Sequence, residues 1–195
     1  MGIITGLTKN TPEKLLLDAG AFFKDYDVTT DTPATAASKL IGATQGGGSF
    51  SAVPTIRQME VDGSKGNVKE LEAIDGWVVT MVANVKEVTA DNIQLALGAA
   101  TQAISESPEN YTKITAKEAF DTTDYIDNLT WVGTLKGSDV PVIIILKNAT
   151  SLNGLTLTVA DKAEAVIPIT LTGHYDLANL DDTPFEIYYP TPQES

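Results

Sequence analysis

The chain has 195 residues, of which 43% are hydrophobic and 20% charged, enough for one sizeable core and too apolar for wholesale disorder. Thirteen basic against 26 acidic side chains leave a net charge of −13, and a surface this negative repels nucleic-acid phosphates, which disfavours tight DNA or RNA binding. Cysteine is absent, so disulfides, thiolate metal sites and cysteine nucleophiles are excluded.

The opening residues 1–7 carry neither a basic n-region nor a long apolar stretch, which argues against a secretory signal and for synthesis and folding in a cytoplasm. The longest apolar run, Val140 to Leu146, is far too short to span a bilayer, so no membrane is expected as a partner. Thr11-Pro12-Glu13 reads as a helix start, with Thr as N-cap and Pro at the first helical position, closed by Gly20. Residues 25–35 are polar and rich in turn formers, and Thr32-Pro33 opens a second helical turn before Gly42. The first 41 residues therefore read as an arm tethered to the body. Residues 42–49 (GATQGGGS) form a glycine-rich loop; the Lys-Ser/Thr and following helix of a phosphate-binding loop are missing.

Beyond Ser49 a two-residue period takes over. Trp77, Val79, Met81, Ala83 and Val85 alternate with Thr80, Asn84 and Lys86, the pattern of a long half-buried strand. Thr89 as cap, Asp91 in the first turn, Ile93, Ala96 and Leu97 on one face and Gly98 at the end predict a single helix over about 89–98. Alternation returns at Leu129, Trp131, Gly133 and Leu135, with Thr130 and Thr134 opposite, and again over 165–175. Pro168 inside the last run lacks a ladder donor and places that strand at a sheet edge or bulge. Val140 to Leu146 is apolar on both faces and must be covered on both. The fold class is mainly β, sandwich- or barrel-like, with one flanking helix and long loops.

Candidates for chemistry are few. His174, the one histidine, stands two residues from Asp176 on a predicted strand, with no activated serine motif beside it. Two such ligands do not make a metal site. Glu118, Asp121, Asp124 and Asp127 recur every third residue, which is not the spacing of a calcium loop, and they read as a solvated segment. No catalytic residue, metal ligand or cofactor site is nominated, so the expectation is a non-enzyme.

Several segments, taken in order, resemble the major tail (tail tube) proteins of long-tailed, non-contractile phages and prophages: 11–23 (TPEKLLLDAGAFF), 42–66 (GATQGGGSFSAVPTIRQMEVDGSKG), 74–77 (IDGW), 87–92 (EVTADN), 153–155 with 161–176 (DKAEAVIPITLTGHYD), and 183–190 (TPFEIYYP). The resemblance implies one tail-tube domain over the whole chain: an arm over 1–41, a ring-stacking loop or hairpin over 42–66, and a β body over 67–195. It implies a structural virion protein, made in the host cytoplasm and ending in the virion tail. Hexameric rings would stack into a tube that conducts DNA during ejection. Twenty-four pooled strands at ~4.8 Å give a circumference of roughly 115 Å before tilt, wide enough for a duplex. The implied partners are further copies, tape-measure, tail-terminator and distal tail proteins, and double-stranded DNA in transit without tight binding. Glu60, Asp62, Glu70, Glu72 and Asp75, or the polar face of 77–87, are the candidate bore-facing positions, although Lys86 interrupts a uniformly negative wall. Gly42, Gln45, Gly46, Gly47, Gly48 and Ser49 are the candidate stacking loop, expected to order together with 1–10 only on stacking. The alternatives are a contractile-tail or secretion-system tube protein and, from another class, a carbohydrate-binding or adhesin β-sandwich. Trp77 and Trp131 on apolar faces count against the last.

Overall fold

A computed structural model describes residues 6–16 and 18–191. The chain runs through a 3-10 turn (Thr11–Lys14), β1 (Ala21–Lys24), a second 3-10 turn (Ala37–Lys39), β2 (Thr44–Gln58), β3 (Glu72–Val85), α1 (Ala90–Leu97), β4 (Ala100–Ile104), β5 (Thr112–Ala116), a third 3-10 turn (Thr122–Asp124), β6 (Ile126–Gly133), β7 (Val142–Ala149), β8 (Thr158–Ala160), β9 (Ala163–Thr172) and β10 (Phe185–Tyr188). It is mainly β and sandwich-like, and no barrel closes: two four-stranded antiparallel sheets, ordered β1-β6-β7-β10 and β2-β3-β9-β8, and a separate β4-β5 hairpin.

The core lies between the two four-stranded sheets. Phe22, Leu129 and Leu146 from the first meet Val79, Met81, Ala83, Val85, Ile167, Ile169 and Leu171 from the second, all buried. The odd-numbered side chains of 77–85 face this core, as their alternation predicts. A corner joins the sheets where Thr150 and Thr172 exchange backbone hydrogen bonds of 3.1 and 2.8 Å.

The first sheet is covered on its other face too. Phe23, Val132, Ile143 and Ile145 point away from the core and are buried under Tyr26, Val28 and Ala36. Residues 21–41 are therefore part of the body and not a loose arm: β1 pairs with β6, and 26–36 roof the sheet. This roof shields the run from Val142 to Leu146 on its outer side, while Val140, before the strand, is exposed. It also corrects the reading of β6 as half-buried, since Thr130 opposite Leu129 is fully buried and donates its hydroxyl to Asn128 Oδ1 at 2.8 Å.

Other boundaries shift for local reasons. Thr11-Pro12-Glu13 opens only a 3-10 turn, with Asn10 as its cap and no side-chain capping bond. Most of the glycine-rich loop is the start of β2, and β1 and β2 complete the two four-stranded sheets. Strand β9 is internal, but β8 accompanies only its first part, through Thr158 opposite Val166, so the side of Pro168 away from β3 needs no donor. The helix stands where predicted: Thr89 Oγ1 accepts from Asn92 N at 3.2 Å, and Gly98 ends it. Its buried stripe is Asn92 and Ala96, with Ile93 and Leu95 beside them. The Asn92 amide is tolerated there because it donates to Ile41 O at 2.8 Å and Glu87 O at 2.9 Å.

Candidate assembly surface

The groups that invite a chemical reading are absorbed by structure. His174 Nδ1 lies 3.0 Å from the Asn148 carbonyl, and the Asn148 amide donates back to His174 O at 3.2 Å. The ring stands edge-on to Tyr125, with centroids 5.2 Å apart. Asp176 does not meet it; its carboxylate accepts from Ala178 N at 2.9 Å and closes a turn. Asp121 and Asp124 form a capping box around Thr122–Asp124 and share the Lys117 ammonium at 2.7 Å each. The Lys117 and Thr123 hydrogen bonds pull the Asp121 carboxyl down to about 2, and the Asp121 and Asp124 carboxylates raise Lys117. Asp127 contributes its backbone N–H to Asp25 Oδ1. Glu118 is exposed. Among the described residues no group of three or more His, Asp or Glu is disposed to hold a metal ion, and no helix is long and apolar enough to cross a membrane.

A second cluster ties the last strand down. Lys147 on β7 bridges Asp182, at 2.9 Å, and Glu186 on β10. Burial works against the Lys147 charge, but the two carboxylates outweigh it and its pKa is raised. Glu186 is lowered by Lys147 and by the Tyr188 hydroxyl, which donates to it at 2.6 Å.

The unusual geometry lies in the β2–β3 hairpin. β2 and β3 pair from Thr44 opposite Val85 to Gln58 opposite Glu72, yet β9 accompanies β3 only over Thr80–Val85. The inner face stays covered as far as Trp77, whose ring packs edge-on against Phe185 at 5.4 Å and whose backbone N–H donates to Tyr175 Oη at 2.9 Å. Beyond it the hairpin continues as a two-stranded ribbon. A bulge at Asp75 shifts the register so that Ile74, not Asp75, stands opposite Ile56. Ile56 follows Pro54 by two residues, so the apolar face runs on past the end of the second sheet. There Ile56 is 56% and Ile74 60% exposed, and Met59, Val61 and Val68 in the connecting loop are exposed as well.

Glycine shapes the near end of the same hairpin. Three residues, Gln45, Gly46 and Gly47, loop out between the pairs Thr44–Val85 and Gly48–Ala83, with positive φ at Gly46 and Gly47. At Gly48 a Cβ would lie 2.0 Å from Val82 O and 2.6 Å from Phe22 Cζ, so the bulge re-enters the sheet only through a residue without a side chain. Under it lies an apolar groove of about 370 Å³ lined by Leu16, Phe22, Phe50, Met81, Trp131 and Ile144. A larger polar cleft, about 600 Å³, separates α1 from Lys24, Lys39 and Asp124.

The candidate bore acids gather at the far end of the hairpin. Glu60, Asp62 and Glu70 lie in the 59–71 loop, Glu72 begins β3, and the Asp75 carboxylate is held by Arg57 Nε at 3.2 Å. The outward face of the second sheet, by contrast, carries Ser49, Ser51, Val53, Val78, Thr80, Val82, Asn84, Thr170 and Thr172, none buried and none charged. Its charges stand at one end, where Lys86 meets Glu164 at 3.2 Å. The sequence reading missed Ile56 and Ile74 as surface residues. Their alternation is that of core strands, and only the length of β9 reveals that no described residue covers them.

No protein-family model matches the chain, and no curated protein matches it.

Proposed function

We propose that this chain is a self-assembling structural subunit of the phage tail-tube type, joining copies of itself into stacked rings through which DNA passes. One observation carries the reading: the apolar face of the β2–β3 ribbon extends past its own sandwich and leaves Ile56 and Ile74 in water. A two-stranded ribbon is marginal by itself, and an exposed apolar face on it gains most from another protein surface. The free backbone edge of β2 offers a second means of joining, because an unpaired edge strand accepts a further strand. A projecting ribbon that seats on a different surface of the next copy is a heterologous contact, which closes into rings or propagates as a filament. The charge of −13 per copy keeps such an assembly soluble and keeps duplex DNA from adhering to it. The capture of segments 1–10 and 42–49 on stacking remains part of this proposal. Of these residues, 1–5 lie outside the described residues and 44–49 already belong to β2 in the single copy.

Sedimentation velocity and negative-stain microscopy across a concentration series test it. The wild-type chain is expected to form rings or hollow filaments. Ile74→Asp, at an exposed position, is expected to stay single-copy with an unchanged unfolding midpoint. A wild-type chain that stays single-copy at every concentration, or an Ile74→Asp variant that assembles equally well, overturns the proposal.

A further inference from the structure

Residues 152–154 form the turn that leaves the sheet corner after β7. The turn is anchored at both ends: Ser151 is buried, and Leu155 packs against the main core. Between the anchors Leu152 and Asn153 are exposed. Gly154 has φ +70 and no atom within 4 Å of the place a Cβ would occupy. Among the described residues the Gly154 N–H donates to no backbone carbonyl and no side chain accepts from it, and the Asn153 amide has no protein partner.

Asn153 is the one asparagine in the chain followed by glycine. We propose that Asn153–Gly154 is a self-modification site at which the folded protein deamidates. The Gly154 backbone nitrogen attacks the Asn153 side-chain carbonyl carbon and forms a new C–N bond. The bond from that carbon to the side-chain nitrogen breaks, and ammonia departs with the proton lost by Gly154. Water then opens the resulting five-membered imide at either carbonyl, leaving aspartate or isoaspartate. The balance is amide plus water to carboxylate plus ammonium, with no oxidant and no cofactor. A glycine on the C-terminal side is what the attack requires, since its nitrogen is unshielded by a side chain and its backbone is free to turn.

Three other asparagines are held. Asn92 donates to Ile41 O and Glu87 O, Asn128 to Tyr26 O, and Asn148 to His174 O. Each is followed by Ile93, Leu129 or Ala149, whose side chain crowds the attacking nitrogen. The reaction is therefore selective, and it adds one negative charge to the −13 of each copy at an exposed turn between the two sheets.

The test incubates the purified folded chain, and in parallel the chain unfolded in urea, at mildly alkaline pH, followed by tryptic mapping. Cleavage after Lys147 and Lys162 releases residues 148–162, which hold Asn148 and Asn153 in one peptide. Fragment masses are expected to place the amide-to-acid change at Asn153 alone, with isoaspartate among the products. The folded chain should react within about tenfold of the unfolded one. Asn153→Gln should abolish the acidic band on native gels while leaving the unfolding midpoint unchanged. Protection of Asn153 in the folded chain beyond that factor, earlier conversion of Asn148, or no conversion in either state overturns the proposal.

Discussion

The two four-stranded sheets share one core and differ on their outer faces. The β1-β6-β7-β10 sheet is roofed by 26–36, so Ile143 and Ile145 are buried on the outer side as Leu146 is on the inner. No described segment roofs the β2-β3-β9-β8 sheet, and its outward positions are mostly Ser, Thr, Val and Asn. The second leaves its outward face, the β2 edge and the overhanging ribbon uncovered by the described residues, and these are the surfaces on which the proposed assembly rests. Burial on both faces also explains why β7 is apolar from Val142 to Leu146 while β3 alternates.

The contrast is most easily broken by truncating an outward-facing side chain on each sheet. Ile145→Ala, under the roof, should cost about 2–5 kcal/mol in chemical denaturation of the single-copy protein. Val78→Ala, on the bare face, should stay within about 0.5 kcal/mol. Equal costs would mean that the bare face is covered or the roof loose. A smaller effect is expected at the bulge, where Gly48→Ala forces a Cβ against Val82 O and the Phe22 ring. It should cost about 1–3 kcal/mol and raise hydrogen exchange at the near end of β2 more than at β6. An unchanged exchange pattern would show that the re-entry of β2 tolerates a side chain.

The smallest effect is electrostatic. The Asp121 carboxyl is held near 2 against an ordinary 3.8, so its contribution to stability is full above pH 3.8 and is lost as pH falls through that interval towards 2. Asp121→Asn should flatten this part of the thermal-midpoint profile in acid while leaving the slope set by Glu186, which is lowered by Lys147, in place. An unaltered acid profile in the variant would mean that the Lys117 clamp does not survive in solution.

Local pattern made much of this legible. Thr89 with its capping hydroxyl, Asp91 and Gly98 specify a helix within one segment, because a cap and a stop act on neighbouring backbone groups. The alternation of 77–85 names the buried set for the same reason: successive side chains of a strand leave on opposite faces. Pro168 correctly signalled a strand side without a partner, although the strand proved internal. The roof was less legible. Residues 25–35 have the composition of a loop, and the apolar packing on the sheet comes from Tyr26, Val28 and the adjoining Ala36. Of the candidate surface, the polar acids were visible and the apolar ribbon was not.

Composition and periodicity by themselves determined the class of this protein: a cysteine-free, acidic, mostly β chain with one capped helix, properties set by each residue and its near neighbours. Tertiary structure alone decided which faces are finished. Whether Ile74 is core or surface depends on where β9 stops, and whether Ile145 is sheltered depends on a segment more than a hundred positions away in the chain. Burial is a property of what packs across the sheet, and no window along the sequence contains both sides of that contact.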